Sequence, residues 1–166
     1  MDFNLRPTTL SDLELHVHHR VVMFKDMDYG DDPGREAMAV AFRDRLRTWL
    51  STGEARGVLA ESDGQVVAGA LLQLKESLPN PLSPQAVRGY LFNVYTDPAF
   101  RSRGLARRMT IALLDVAKSQ GIGMVELHAS KHAEGMYRSM GFEPTPEFRL
   151  ILDEGIQKPG QWSERR

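Results

Sequence analysis

Between Gly89 and Gly141 the chain carries a strand pattern, a short connection rich in arginine, a helix pattern, a second strand pattern and a second helix pattern. This order limits the fold more than any other feature. Gly89 to Thr96 is rich in aromatic and β-branched residues and stops at Asp97-Pro98, as a strand does. Leu105, Met109, Ala112, Leu113 and Val116 then recur at helical spacing up to Gly121. Met124 to Ala129 reads as a strand, and Ala133, Met136, Tyr137 and Met140 as a helix closed by Gly141. Strand, loop, helix, strand, helix is a crossover unit, so the chain is α/β or α+β with a mixed sheet.

The upstream residues add an antiparallel part. Phe3 to Arg6 alternates as a short strand, and Leu10, Leu13, Val17, Val21 and Phe24 follow at helical steps up to a break over Tyr29 to Gly34. Ala39, Phe42, Leu46 and Trp49 mark a second helix ending near Gly53. Gly57 to Glu61 and Gln65 to Leu74 are strand-like runs around Asp63-Gly64, a strong hairpin signal. Leu78 to Pro84 holds three prolines in seven positions and is a stiff loop. Phe142-Glu143 and Glu147 to Leu152 read as a last strand pair, and residues 159 to 166, with Trp162, as a polar tail after a single domain over 1–158.

Composition removes several function classes. The 21 Lys and Arg nearly balance the 22 Asp and Glu, which argues against a general polyanion binder. No nucleic-acid partner is expected, since the arginines form one cluster without an aromatic stacking series. Without cysteine there is no disulfide, zinc-thiolate site or thiol nucleophile. The N-terminal residues are no signal sequence and no apolar stretch approaches the ~20 residues that span a bilayer, so a cytoplasmic protein without membrane contact is expected. His16 and His19 share a helical face, yet nothing at ligand spacing completes a metal site. An exposed face is the expectation for them, and no metal is expected.

The chemistry is written in the connection after the strand, Arg101-Ser102-Arg103-Gly104-Leu105-Ala106-Arg107-Arg108. The first N–H groups of a helix lack intrahelical partners and the macrodipole places about +0.5 charge there, so anions are favoured. Glycine permits a tight turn and close approach of a phosphate. The segment is neither a P-loop nor a Gly-x-Gly-x-x-Gly pattern. Local chemistry leaves two readings open, a pyrophosphate cradle and an ordinary solvated helix start.

The stretch Arg101 to Ala106 resembles the Arg/Gln-x-x-Gly-x-Gly/Ala loop of the GCN5-related N-acetyltransferase (GNAT) family. The resemblance extends from Leu5-Arg6-Pro7-Thr8 through the Asp63-Gly64 hairpin to Leu127-His128-Ala129-Ser130 and Met136-Tyr137-Arg138-Ser139-Met140-Gly141-Phe142. It implies a mostly antiparallel central sheet of about six to seven strands, splayed between the fourth and fifth, with about four helices on both faces. It also implies acetyl-CoA as co-substrate. The main chain of Val94, Tyr95 and Thr96 would pair with the pantetheine arm, and amides of Ser102, Arg103, Gly104, Leu105, Ala106 and Arg107, with the Arg101 side chain, would surround the diphosphate. Tyr137 resembles the tyrosine that protonates the departing thiolate. Ser130 stands where many members carry a cofactor-contacting asparagine.

Transfer of acetyl directly to a primary amine through a ternary complex is the reaction implied, with a non-catalytic acyl-CoA sensor as the alternative. The acceptor is a small-molecule amine or a peptide, and its wall falls on residues 23–34 and 78–84. Phe24, Met27, Asp28, Tyr29 and Glu76 are the candidates there, although helical spacing favours the core for Phe24. Asp26, Asp28, Asp31 and Asp32 would attract a cationic amine or merely be solvated. Glu76, Glu126 and His128 are candidate general bases, beside a base supplied by water. A homodimer is a weaker expectation from the family.

Overall fold

The computed structural model describes residues 2–152; the expected tail and Trp162 lie outside them. Five strands form one sheet in sequence order: β1 (Asn4–Pro7), β2 (Ala55–Ser62), β3 (Gln65–Glu76), β4 (Val87–Thr96) and β5 (Val125–Leu127). The first three pairings are antiparallel and β4 with β5 is parallel. Helices α1 (Leu13–Asp26) and α2 (Asp32–Thr52) cover one face. Helices α3 (Leu105–Ser119) and α4 (Lys131–Ser139) pack on the other. No helix among the described residues is long and apolar enough to cross a membrane.

Each face has its own core. Leu72, Leu91, Met109 and Leu113 meet under α3, while Leu46, Leu71, Phe42 and Val17 meet under α1 and α2. Leu46, Leu59, Leu71 and Leu72 are wholly buried, each contributing about 1.5–3 kcal/mol relative to exposure. The β2–β3 turn uses Asp63 and Gly64 at positive φ, the backbone that an Asp-Gly hairpin requires.

Two expectations need correction. Asp31 to Gly34 is not a break: the Asp31 carboxylate accepts from Gly34 N–H at 2.8 Å and caps α2, with Pro33 in its first turn. The strand pair over Phe142 to Leu152 is not formed, so the described sheet has five strands instead of six or seven. Phe148, Leu150 and Leu152 alternate as a strand would, but all three side chains are exposed and no neighbouring strand among the described residues supplies a ladder.

At Gly69, on β3, the side chains of α1 come close to the sheet backbone. A Cβ there would lie 2.9 Å from His19 Nδ1, 2.9 Å from Leu59 Cδ2 and 3.2 Å from His16 Cε1. Gly69→Ala should therefore destabilise the fold by about 2–3 kcal/mol through overpacking, read as a lower urea midpoint. An unchanged midpoint would mean that α1 lifts off the sheet at little cost.

Candidate active site

The β4–β5 pairing stops at Leu91↔Leu127, because β5 is only three residues long, whereas β4 runs on to Thr96. Opposite Ala70 of β3, two residues of β4, Asn93 and Val94, occupy the place of one, and Asn93 has φ +54°. This bulge bends β4 away from β5 and opens the splay. Asp97 N–H donates to Val67 O at 2.9 Å, so two residues earlier Tyr95 also turns its peptide groups to β3. Val94 and Thr96 therefore face the splay, where an extended ligand can add as a strand. Tyr95 contributes its ring instead, stacked on His19 at 4.6 Å. The Thr96 carbonyl already accepts from Arg101 Nε at 3.1 Å.

After β4, Asp97 caps a 3-10 turn over Pro98–Phe100 by accepting from Ala99 N–H at 3.0 Å. Ser102 (φ +61°) and Gly104 (φ +75°) both adopt left-handed backbone on either side of Arg103, a conformation that turns successive N–H groups inward. A Cβ at Gly104 would meet nothing within 4 Å, so the space above the loop is open. Leu105 is buried and pins the start of α3, leaving the first-turn amides from Leu105 to Arg107 pointed at that space. The residues fit a diphosphate.

The arginines frame this cradle instead of standing free within it. Arg101 pairs with Asp26 at 2.5 Å and ties α1 to the loop. Arg103 lies 5.4 Å from the centroid of the Phe100 ring, Arg107 donates to Ser139 Oγ at 2.8 Å, and Arg108 donates to Phe3 O at 3.1 Å. Arg101 is thus neutralised by a carboxylate, which the sequence pattern did not reveal.

Tyr137 sits on the inner face of α4, 6% exposed, with Phe142 edge-on at 5.6 Å. Burial pushes its phenol up to about 12, and the Thr110 hydroxyl pulls the other way. Ser130 precedes α4 as its N-cap residue but does not cap with its hydroxyl, which stays available to a ligand.

The other candidates scatter. Glu76 is exposed and pairs with Val87, about 17 Å along β4 from Phe92 at the rise of a strand. Glu126 would be raised by burial, but Lys75 at 3.0 Å and Arg88 at 2.8 Å hold it below the usual carboxylate range, so it serves as an ion-pair partner. His128 is exposed. Of the four acids from the end of α1 to the start of α2, Asp26 binds Arg101, Asp31 caps α2 and Asp32 pairs with Arg35; Asp28 is exposed at φ +51°. Phe24 and Tyr29 lie 5.2 Å apart and half-buried, with Met27 also half-buried between them in sequence.

What the fold places at the bulge is His16, His19 and Asn93. His16 and His19 are buried, not on an exposed face, because α1 turns them onto β4. Burial pushes His16 down to about 4 and His19 to about 3, so both are neutral near pH 7. Thr8 Oγ1 lies 2.9 Å from His16 Nε2, and Asn93 Nδ2 donates to His16 O at 3.0 Å. The i, i+3 spacing of the histidines was the one signal for this cluster.

A family model described as the acetyltransferase (GNAT) family matches residues 23–142. A GCN5-related N-acetyltransferase of Ralstonia eutropha JMP134 is similar at 34% identity and TM-score 0.86, covering 91% of this chain and 99% of that one. A predicted acetyltransferase of Clostridium acetobutylicum, solved with acetyl-CoA, is similar at 25% identity and TM-score 0.83 over 90% and 96% of the two chains. The mycothiol acetyltransferase of Beutenbergia cavernae is 29% identical over 100 residues, 58% of this chain. That stretch spans 31% of the curated relative's length.

Proposed function

The chain belongs to the acetyltransferase (GNAT) family, and on that premise we propose that it moves acetyl from acetyl-CoA directly to a primary amine in a ternary complex. The observation that carries this reading is the free edge of β4 from Val94 to Thr96 leading into the open cradle at Gly104, with the buried phenol of Tyr137 packed against α3, the helix whose start forms that cradle. The edge would hold the pantetheine arm, the cradle the diphosphate, and Ser130 would add a hydrogen bond.

The amine attacks the thioester carbonyl once it has lost its proton. His16 and His19 are too weakly basic to take that proton near pH 7, so water is the carrier we favour. As the tetrahedral intermediate collapses, the C–S bond breaks and charge gathers on sulfur, where Tyr137 donates a hydrogen bond.

Calorimetric titration with acetyl-CoA, CoA and ATP tests the cofactor half. Micromolar binding of acetyl-CoA and CoA is expected. An Arg103→Glu, Gly104→Asp variant should weaken both by about 10–50-fold, since it sets a side chain at φ +75° and two carboxylates beside the diphosphate. Equal binding by the variant would remove the cradle, and with it the acetyl-CoA reading.

A further inference from the structure

Arg20, on α1, belongs neither to the cradle nor to the cluster at the bulge. Its guanidinium carbon lies 5.0 Å from the ring centroid of Phe24 and 4.6 Å from that of Phe42. Both rings attract the cation, but neither offers a lone pair, so its N–H donors still need acceptors. None is supplied: Arg20 has no carboxylate or hydrogen-bond partner among the described residues, and its Nε is buried without one. The acids of the α1–α2 connection do not pair with it: Asp26 binds Arg101, Asp31 caps α2, Asp32 binds Arg35 and Asp28 is exposed. Burial lowers the pKa of Arg20, as expected for a cation withdrawn from water without a counter-ion.

Its place in the fold gives this vacancy a direction. One helical turn before Arg20, His16 O holds Asn93 at the bulge, and His19 stacks on Tyr95. Phe42 in turn meets Phe92, the residue next to the bulge, edge-on at 6.3 Å. Arg20 therefore sits on the α1–α2 side of β4, about 6 Å along α1 from the residue that holds the bulge. The residue itself is only partly covered, so a small molecule can reach its edge.

We propose that Arg20 is the specificity residue for the acceptor and binds a carboxylate on it, so that the substrate is a small amine bearing a carboxylate, of the amino-acid class. The aromatic rings confine the guanidinium so that its fork meets a planar carboxylate in two parallel hydrogen bonds. This inference rests on the acetyltransferase reading, which the test must be able to fail separately.

Thiol release from acetyl-CoA is measured with α-amino acids, their amides and decarboxylated amines, and O-phosphoethanolamine. The amino acids should be preferred in kcat/KM by about 30–100-fold over their uncharged partners. Arg20→Gln should erase that preference by raising KM for the amino acids, leaving uncharged amines and acetyl-CoA affinity as they are, and Arg20→Lys should restore part of it. In parallel, the ¹⁵N signal of the Arg20 Nε–H group, identified by its loss in Arg20→Lys, should shift on titration with glycine, leucine and glutamate but not with their amides. Equal use of amino acids and amides, a preference for the phosphate ester, or an Arg20 signal indifferent to all three amino acids would each overturn the proposal. Acetyl-CoA binding without turnover of any amine would instead sink the acetyltransferase reading, with the Arg20 signal still deciding the carboxylate site.

Discussion

Tyr137→Phe should lower kcat for acetyl transfer by about 10²–10³-fold while acetyl-CoA affinity and the unfolding midpoint stay nearly constant. The magnitude is that of removing one donor aimed at developing negative charge in a water-poor site. The fold should tolerate the change, because the ring keeps its edge contact with Phe142 and Thr110 still donates to Ala106 O at 2.8 Å. The raised pKa sharpens the role of the phenol. At about 12, it lies ~3.5 units above an ordinary thiol, so full proton transfer to the thiolate would be uphill by ~5 kcal/mol. The role proposed for Tyr137 is therefore that of a hydrogen-bond donor that remains protonated at every working pH. The rate profile should accordingly show no limb from Tyr137 below about pH 11, and the profile of Tyr137→Phe should keep the wild-type shape at lower height. A kcat within threefold of wild type would return Tyr137 to core packing, the ordinary fate of a tyrosine at helical spacing.

The same tyrosine shows which parts of this protein are legible in its sequence. Local chemistry that acts through backbone is written in residue order: Asp63-Gly64 dictates a hairpin, and the Arg101–Ala106 stretch dictates a turn into a helix start. Period-two and helical spacing likewise place β2, β3, β4 and α3 within a few residues. What depends on which element packs against which is not written locally. His16 and His19 share one helical face whether that face meets water or β4, and only the close approach at Gly69 settles it. Arg20 looks like any arginine on an amphipathic helix until Phe24 and Phe42 close around it. Phe148, Leu150 and Leu152 show the converse case, in which a strand-like pattern finds no ladder among the described residues.

The buried histidines make acid the most effective way to dismantle the site. A histidine whose folded pKa lies below its unfolded value of about 6.5 binds its proton more tightly when unfolded. Stability from His16 and His19 is therefore present above pH 6.5 and is lost as the pH falls toward about 4 for the first and about 3 for the second. Between pH 7 and pH 5 each contributes a loss of about 2 kcal/mol, so the unfolding free energy should fall by about 3–4 kcal/mol, with uptake approaching two protons. Asp12 acts in a separate window: the Arg6 guanidinium holds its carboxyl far below the usual range, so its contribution is lost only below about pH 4. Urea unfolding across pH 7 to 5 reads the effect, and His19→Phe, which retains a ring against Tyr95, should remove about half of the pH dependence. A free energy flat from pH 7 to 5 would mean that the imidazoles are solvated and that α1 does not seal the bulge. If the slope appears, α1 and β4 should separate first, and acetyl-CoA affinity should decline along the same pH axis because Arg101, which links α1 to the cradle, loses Asp26 when α1 moves.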